Sequence, residues 1–332
     1  MSPATSYDID VVVTRGSAIE SIHRVSAAVV AGDVLVGYAR NPEHEAYWRS
    51  CAKPFQLMPF LTSDGADDLG WGADEVALAC ASHGGEPEHV AIVERMLGDL
   101  GLEEGDLACG AAEPLAQRGQ RLLRESGGRP TRLHNNCSGK HAAMLARAQG
   151  ADWPTAGYDH LGHPVQQSIV REIERWTGVA ASRMNIARDG CGVPVFGLSL
   201  EAMARAFARF AAAIHAGHEV PRRIGDAMLA NPFLVGGTDR FDTVLMEEAP
   251  GIVCKIGAEG VHSVAIVATG VGLALKVEDG ASRAQYPALI ALLQHLGALP
   301  DSLPPRLAEL ARKAVRDTRH EAVGEIVVRA MM

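Results

Sequence analysis

Strand patterns near both ends of the chain, with helical patterns between them, constrain the fold more than any other feature. Residues 9–39 alternate apolar runs, at 11–13 and 34–36, with a Gly-Asp turn, which is typical of antiparallel strands joined by tight turns. Similar runs at 261–268 and 273–277 flank a glycine-bearing turn and predict a second hairpin. The chain therefore begins in sheet and returns to it.

From about residue 74 to 230, apolar residues recur at the spacing of amphipathic helices. Helices are predicted over 86–100, 115–125, 138–149, 164–177 and 199–215, and two more near 284–297 and 303–315. The pattern predicts an α/β fold of the α+β kind, with a mixed, mainly antiparallel sheet from both chain ends covered by helices, plus a helical lobe. Because no long linker interrupts the chain, we expect a single catalytic domain over 1–332. Its two intimate lobes would be a sheet lobe (about 1–50 and 250–332) and a helical lobe (about 74–230).

Composition excludes several classes of partner. The 332 residues are 47% apolar and carry a net charge of −9, so they bury a large core and offer no basic surface for nucleic acid or anionic lipid. No segment reaches the roughly 18 consecutive apolar residues of a membrane span, and the first residues do not resemble a signal peptide. We therefore expect a cytoplasmic protein without nucleic-acid or membrane partners.

Six widely spaced cysteines lack the short spacings of a disulfide scaffold or of a structural zinc site, so reduced thiols are expected. Four of them have small or apolar neighbours and are interpreted as buried, inert thiols: Cys51, Cys80, Cys109 and Cys254. The other two, Cys137 and Cys191, lie in polar, glycine-bearing loops.

Ser50 and Lys53 stand three positions apart, just before an apolar run at 55–61. In a helical turn, positions three apart share a face, so the lysine amine could deprotonate the serine for acyl transfer. The alternative is a serine near a solvated lysine. Pro54 has no N–H for the first helical bond, so the turn must be irregular or the helix must start later.

Ser82 lies in the small-residue bend Ala-Ser-His-Gly-Gly-Glu (81–86), where glycines let the backbone approach a ligand. The alternative is that Ser82 or Glu86 only caps the helix that follows. Lys255 and Gly257 alternate on a predicted strand, so the lysine could point into a cleft beside an open backbone. In this order, the three segments have the layout of penicillin-recognising serine enzymes.

The densest polar run of the chain, at 134–141, precedes a predicted helix, and a second thiol lies in the loop at 189–194. Three interpretations stay open: a nucleophilic Cys137, a divalent-metal site, or a reduced thiol pair beside the cleft. A metal site would use Cys137 and Cys191 with a nitrogen of Lys140 or His141, and with Asp189 or water. Among the polar side chains of these loops, the candidates for substrate binding are Asn136, His141 and Asp189.

Five motifs, in order across nearly the whole chain, resemble the L-asparaginase II family of Rhizobium-type asparaginases. They are RSCAKPFQ (49–56), ASHGGE (81–86), HNNCSGKHAAML (134–145), DGCGVPVF (189–196) and KIGAEGV (255–261). The resemblance implies a fold similar to serine β-lactamases and glutaminases, hydrolysis of L-asparagine as the small-molecule substrate, and a homodimer.

Carried over to this chain, the resemblance pairs Ser50 with Lys53 and Ser82 with Lys255 as catalytic groups. It also matches Cys137, Lys140 and Cys191 to the positions where the family binds zinc, outside the chemistry itself. Because Ile256 stands where penicillin-binding enzymes usually have a hydroxyl residue, β-lactam recognition is not expected. The alternatives are a glutaminase or another β-lactamase-like amidase or peptidase, and a catalytically silent metal- or amino-acid-binding protein.

Overall fold

A computed structural model describes residues 3–63 and 65–329. Its strands, in chain order, are β1 Thr5–Tyr7, β2 Asp10–Arg15, β3 Ala18–Ala31, β4 Val34–Ala39, β5 Glu45–Tyr47, β6 Asn185–Arg188, β7 Pro194–Ser199, β8 Ile252–Ile256, β9 Val261–Ile266, β10 Val271–Val277, β11 Lys313–Arg316 and β12 Ala322–Val328.

The α-helices are α1 Lys53–Leu61, α2 Gly65–Asp68, α3 Ala73–Ala79, α4 Pro87–Asp99, α5 Gln117–Glu125, α6 Ser138–Gln149, α7 Pro164–Thr177, α8 Leu200–His215, α9 Glu219–Ala230, α10 Pro232–Val235, α11 Phe241–Glu248, α12 Ser282–His295 and α13 Pro305–Ala311. Short 3-10 turns occupy Arg49–Ala52, Glu104–Asp106 and Ala181–Arg183. None of these described helices combines the length and hydropathy needed to cross a bilayer.

The predicted elements are present with one clear exception. All five helices predicted in the middle of the chain form, and α6 and α7 have the predicted bounds. The helix predicted over 303–315 is wrong in its second half, because α13 ends at Ala311 and Arg312 is extended. The next residues form β11, which pairs with β12, so strand pairing outweighs the local helical preference there.

The described residues form two compact units. One contains the chain up to Cys51, Leu198–Ala212 and the part from Glu248 on; its sheet runs in the order β11-β12-β2-β3-β10-β9-β8, with β4 also on β3 and β1 on β4. Neighbouring strands are antiparallel except β1 and β4, which are parallel. The predicted mixed, mainly antiparallel sheet from both chain ends is therefore confirmed.

Helix α12 contacts four strands of this sheet, β2, β9, β10 and β12. On β10, Gly272 lies so close to the backbone of α8 that a Cβ there would overlap with Ala204 O and Ala208 N. The glycine is needed because it lets the helix approach the strand directly.

The second unit, residues 52–197 and 213–247, is mainly helical. Helix α6 is buried along almost its whole length and contacts α1, α3, α4 and α7. Gly139, in its first turn, lies against α3: a Cβ there would be 2.5 Å from the carbonyl oxygen of Leu78. This approach positions the start of α6, which carries the polar residues of the predicted site.

Candidate active site

Lys53 is the first residue of α1 and is completely buried. A 3-10 turn, Arg49–Ala52, precedes it, and Pro54 occupies the first turn of the helix, as the missing proline N–H predicts. The Lys53 amine donates hydrogen bonds to Ala81 O and, at 3.3 Å, to Asn136 O; its Nζ also lies 3.1 Å from Ser82 Oγ. Folding thus brings the lysine of the first motif to the serine of the second.

Ser82 is held by its backbone as well as by Lys53. Its N–H donates to Val235 O at 3.0 Å, and the residue is 4% exposed. Helix α4 begins at Pro87 with Glu86 at the N-cap, so Ser82 lies upstream of the cap and its hydroxyl faces the lysine instead. Of the two cap candidates, Glu86 therefore occupies the N-cap and Ser82 does not.

His83, next to Ser82, is a buried and neutral imidazole. Its Nε2 lies 2.9 Å from Ser138 Oγ, and its Nδ1 accepts the Gly85 N–H at 3.1 Å. Because Ser138 donates its own proton to Leu133 O, Nε2 must carry the hydrogen. Burial, followed by the nearby basic groups, including His89 and Lys53, lowers the pKa of His83 well below its usual value.

The polar run at 134–141 and the loop at 189–194 meet at a buried cluster of thiols and one amine. Lys140 Nζ lies 3.1 Å from Cys191 Sγ. The thiol of Cys137 is 3.3 Å from Asn136 Oδ1 and also interacts with Cys191. The turn between β6 and β7 presents Cys191, because Asp189 N–H donates to Val193 O and Gly192 N–H donates to Asp189 O.

The charges of this cluster are complementary. A hydrogen bond from Cys137 and the charge of Lys140 overcome burial and lower the pKa of Cys191 to about 5. The same hydrogen bond, together with burial, raises the pKa of Cys137 to about 12. Burial alone would lower the pKa of Lys140, but the negative charges of Cys191, Cys137 and Asp189 raise it. At neutral pH the cluster is an ammonium–thiolate pair with one neutral thiol.

The donor set fits zinc, which binds thiolates and nitrogen and suits a closed, buried site. Cys137, Lys140 and Cys191 are 4–6% exposed and converge on one point. Within 3–63 and 65–329, no set of three donor atoms from His, Cys, Asp or Glu that includes either thiol lies within 4.8 Å. Asp189 and His141 therefore do not add a third such donor, and Lys140 would have to supply it.

His141 is buried beside this cluster. Its Nδ1 lies 2.7 Å from the Tyr158 hydroxyl, which also accepts the Ala108 N–H at 2.8 Å. Burial and the charge of Lys140 lower the pKa of His141 to about 3, so the ring is neutral. Tyr158 was missed in the sequence, since nothing in its local pattern distinguishes it from a core aromatic residue.

Ser50 and Lys255 belong to the sheet unit, and their predicted pairing with Lys53 and Ser82 stays a prediction. Lys255 is completely buried on β8, and its main-chain oxygen accepts a hydrogen bond from the Cys51 thiol at 2.9 Å. Gly257, just beyond β8, lies against this region, because a Cβ there would be 3.1 Å from Cys51 Sγ. The residue after Ser50 is thus anchored to the strand that carries Lys255.

A family model described as L-asparaginase II matches residues 11–328. Among solved structures, the chain is similar to the glutaminase Mglu in its Tris and glutamate form, at 16% identity and a TM-score of 0.46, covering 85% of this chain and 61% of Mglu. A β-lactamase from Mycobacterium bovis matches at 12% identity and a TM-score of 0.36, covering 82% of this chain and 94% of that one. The chain thus spans less than two thirds of that Mglu chain. No protein with a curated description matches significantly.

Proposed function

Because the chain belongs to the L-asparaginase II family, we propose that it hydrolyses L-asparagine to L-aspartate and ammonia through a serine acyl-enzyme. Family membership supports an enzyme that hydrolyses amides; the choice of asparagine is our proposal. The observation that carries it is the buried Lys53 amine, 3.1 Å from Ser82 Oγ, within the motifs of the family. A buried amine beside a hydroxyl is an arrangement that activates a serine for attack on an amide.

The bonds of Lys53 suit a base. A neutral amine has two N–H groups and one lone pair; the N–H groups can serve Ala81 O and Asn136 O, which leaves the lone pair for a serine hydroxyl. Burial in a region of low dielectric constant favours the neutral form of a lysine. Lys53 is therefore placed to take a proton from serine and pass it on towards the departing ammonia.

In the proposed double displacement, Lys53 takes the Ser50 proton and Ser50 Oγ attacks the side-chain amide carbon. The C–N bond breaks, ammonia leaves with a proton passed through Ser82 and Lys255, and water cleaves the aspartyl ester. The Lys53–Ser82 contact supports this relay, since it connects the first serine–lysine pair to the second.

The test compares ammonia release from L-asparagine by the wild type and by Ser50→Ala, Ser82→Ala and Lys53→Met. Ser50→Ala should lose at least ~10³-fold in kcat with the fold intact, and Lys53→Met should behave similarly. Ser63→Ala, an exposed serine just after α1, is the matched control, and Cys137→Ala should keep measurable activity. Near-wild-type turnover by Ser50→Ala would show that another residue is the nucleophile. Complete loss of activity in Cys137→Ala would indicate that the nucleophile is the Cys137 thiol.

Substrate comparison separates the alternatives. Asparagine, glutamine and a chromogenic cephalosporin distinguish an asparaginase from a glutaminase or a penicillin-type amidase. Retained binding of an amino acid without any ammonia release would indicate a silent binding protein.

We also propose that Cys137, Lys140 and Cys191 hold one zinc ion per chain. Bound zinc would cross-link the two loops and position the substrate, while the serine chemistry proceeds on the protein's own groups. Cys137 and Lys140 must each release a proton to become ligands, so affinity should fall steeply with falling pH. Protein purified near pH 8 should contain about one zinc per chain, lost in Cys137→Ala and Cys191→Ala, and chelation should raise KM more than it lowers kcat. Full zinc in both variants would contradict this site.

We also propose that the protein is a homodimer and that it is located in the cytoplasm. The family resemblance supports the dimer, and the acidic net charge of −9 and the reduced-thiol expectation are compatible with the compartment. Light scattering of the purified protein measures the oligomeric state, and fractionation of the source cells measures the location.

A further inference from the structure

The loop between α10 and α11, residues 236–240, is the Gly-Gly loop, and it lies against the Ser82 bend. Just before it, Val235 O accepts the Ser82 N–H at 3.0 Å. Gly237 has a φ of +112°, and a Cβ there would lie 3.0 Å from Gly84 Cα and 2.8 Å from Glu86 Oε1. Only glycine combines this backbone conformation with so close an approach.

A buried carboxylate holds the loop in place. Glu86 is completely buried and accepts hydrogen bonds from Thr238 N–H at 2.8 Å and Thr238 Oγ1 at 2.6 Å. Arg118 Nη1 donates to the same carboxylate at 2.7 Å and is shared with the carboxylate of Glu88. Two residues further on, Arg240 N–H donates to Gly237 O at 3.3 Å. The backbone that carries Arg240 is thus fixed relative to Ser82.

Among the described residues, the guanidinium of Arg240 lacks the carboxylate partner that two other partly buried arginines of its unit have. It is partly buried, yet across residues 3–63 and 65–329 no oxygen accepts a hydrogen bond from it and no carboxylate lies within 4 Å. Arg118 and Arg223, also partly buried in the same unit, each hold a carboxylate, of Glu86 and Asp67 respectively. A partly desolvated cation with no anion is unfavourable, so the position is suited to an anionic group from outside the chain.

The charge of Arg240 is felt at His83, the residue after Ser82. After burial, the pKa of His83 is lowered by the basic groups of His89, Lys53, His134 and Arg240, in that order. His83 is the neighbour of Ser82, so Lys53 and Arg240 both lie within electrostatic range of the same point. An amino-acid amide that places its amide at Ser82 and Lys53 carries its α-carboxylate only a few bonds away.

We propose that Arg240 binds the α-carboxylate of the substrate and so restricts the enzyme to free amino-acid amides. This inference rests on the proposed function of the same site. The planar guanidinium matches a carboxylate with two parallel N–H···O bonds, which an ammonium cannot reproduce. Amides whose carboxylate is blocked, such as asparagine within or at the start of a peptide, should be poor substrates.

The test measures the activity of the wild type and three variants on each of two substrates. The substrates are L-asparagine and its α-amide, in which a neutral carboxamide replaces the carboxylate; side-chain hydrolysis is followed by chromatography of the product. Wild type should prefer asparagine by about 100-fold in kcat/KM, the value of a strong charge-assisted contact. Arg240→Met should lose that preference by slowing asparagine alone, and Arg240→Lys should be intermediate. The matched control is Arg222→Met, whose arginine is 63% exposed and pairs with Asp226.

Equal losses of Arg240→Met on both substrates, or none on asparagine, would overturn the proposal. Calorimetric binding of L-aspartate and of its α-amide separates this result from failure of the proposed function. Suppose that the wild type binds aspartate but releases no ammonia, and that Arg240→Met binds aspartate about 100-fold more weakly. This result would support carboxylate binding by Arg240 and would contradict the proposed asparaginase activity. A wild type that neither hydrolyses asparagine nor binds aspartate would overturn both. If Arg240→Met does not fold, the same comparison of kcat/KM for asparagine and its α-amide is made with Arg240→Lys and Arg240→Gln.

Discussion

At the scale of single residues, the Lys53 amine connects segments that are distant in sequence. It lies beside Ser82 Oγ and also bonds two main-chain oxygens, Ala81 O and Asn136 O. Each bond satisfies part of a polar group buried away from water, which would otherwise be costly. The lysine is therefore held in one position, and a change at Ser82 should be felt at Lys53.

The contact between Lys53 and Ser82 predicts that mutations of these two residues have strongly non-additive effects on kcat. Lys53→Met and Ser82→Ala should each reduce kcat, and the double variant should be little slower than the slower single variant, because either change breaks the same relay. The measurement is steady-state ammonia release by the four proteins. In the control cycle of Lys53→Met with Ser63→Ala, no coupling is expected. Losses that multiply in the first cycle would show that Lys53 and Ser82 act independently.

His83 predicts a pH dependence of stability. The folded protein holds it neutral, with a lowered pKa, whereas in the unfolded chain its pKa is near the ordinary value of about 6.5. Below that pH, His83 binds a proton in the unfolded chain but stays neutral in the folded protein. The free energy of unfolding therefore falls by up to about 1.4 kcal/mol for each unit by which the pH is lowered.

Urea unfolding at neutral pH and one unit below the ordinary histidine pKa measures this effect. The loss in His83→Asn should be smaller than in the wild type by about 1 kcal/mol. His160→Asn, at a side chain 72% exposed, should behave as the wild type. Equal losses in wild type and His83→Asn would mean that His83 protonates readily within the fold.

At the scale of elements, the first turn of α6 presents Lys140 and the thiol of Cys137, and its position depends on the contact with α3. Gly139 makes that contact, since a Cβ would be 2.5 Å from Leu78 O. A backbone oxygen cannot move as a flexible side chain can, so any larger residue must push the two helices apart.

Gly139→Ala should therefore destabilise the protein by about 1–3 kcal/mol, and the shift of α6 should also weaken zinc binding. Gly98→Ala, in α4, is the matched control: a Cβ there meets nothing within 4 Å, and alanine should stabilise the helix by up to about 1 kcal/mol. Denaturant unfolding of both variants measures the difference. A Gly139→Ala protein as stable as the wild type would contradict the close helix contact.

At the scale of the whole molecule, neither compact unit is a continuous piece of chain. The sheet unit consists of three segments and the helical unit of two, so the chain passes between the units four times. The sheet cannot form without segments that lie on both sides of the helical residues in sequence. This connectivity favours one cooperative folding unit.

We predict one calorimetric transition, with calorimetric and van't Hoff enthalpies that agree. Residues 52–197 expressed alone should lack cooperative unfolding, because α9–α11 of the same unit are then missing. Two well-separated transitions, or a cooperatively folded 52–197 fragment, would contradict this.

Much of the fold could be predicted from the sequence because it depends on neighbours along the chain. The periodicity of apolar residues, together with Pro164 at one start and Gly178 just past one end, determined α6 and α7 to the residue. The proline after Lys53 predicted either an irregular turn or a later helix start, and a 3-10 turn precedes α1. Strands β11 and β12 could not be predicted in this way, because their residues gain strand conformation mainly from pairing with each other and with β2.

The sequence by itself thus determined which residue types carry chemistry: the serines, the lysines and the two loop thiols. Only the tertiary structure decided which groups meet, because these contacts join positions 29 to 51 residues apart through the packing of helices. It placed Lys53 beside Ser82, and it made an ion pair of Lys140 and Cys191, whose charge states depend on burial and on each other. Thr238 and Arg240 were not recognised in the sequence, and Glu86 was considered only as a helix cap, since a carboxylate that bonds to a distant loop has no local signature.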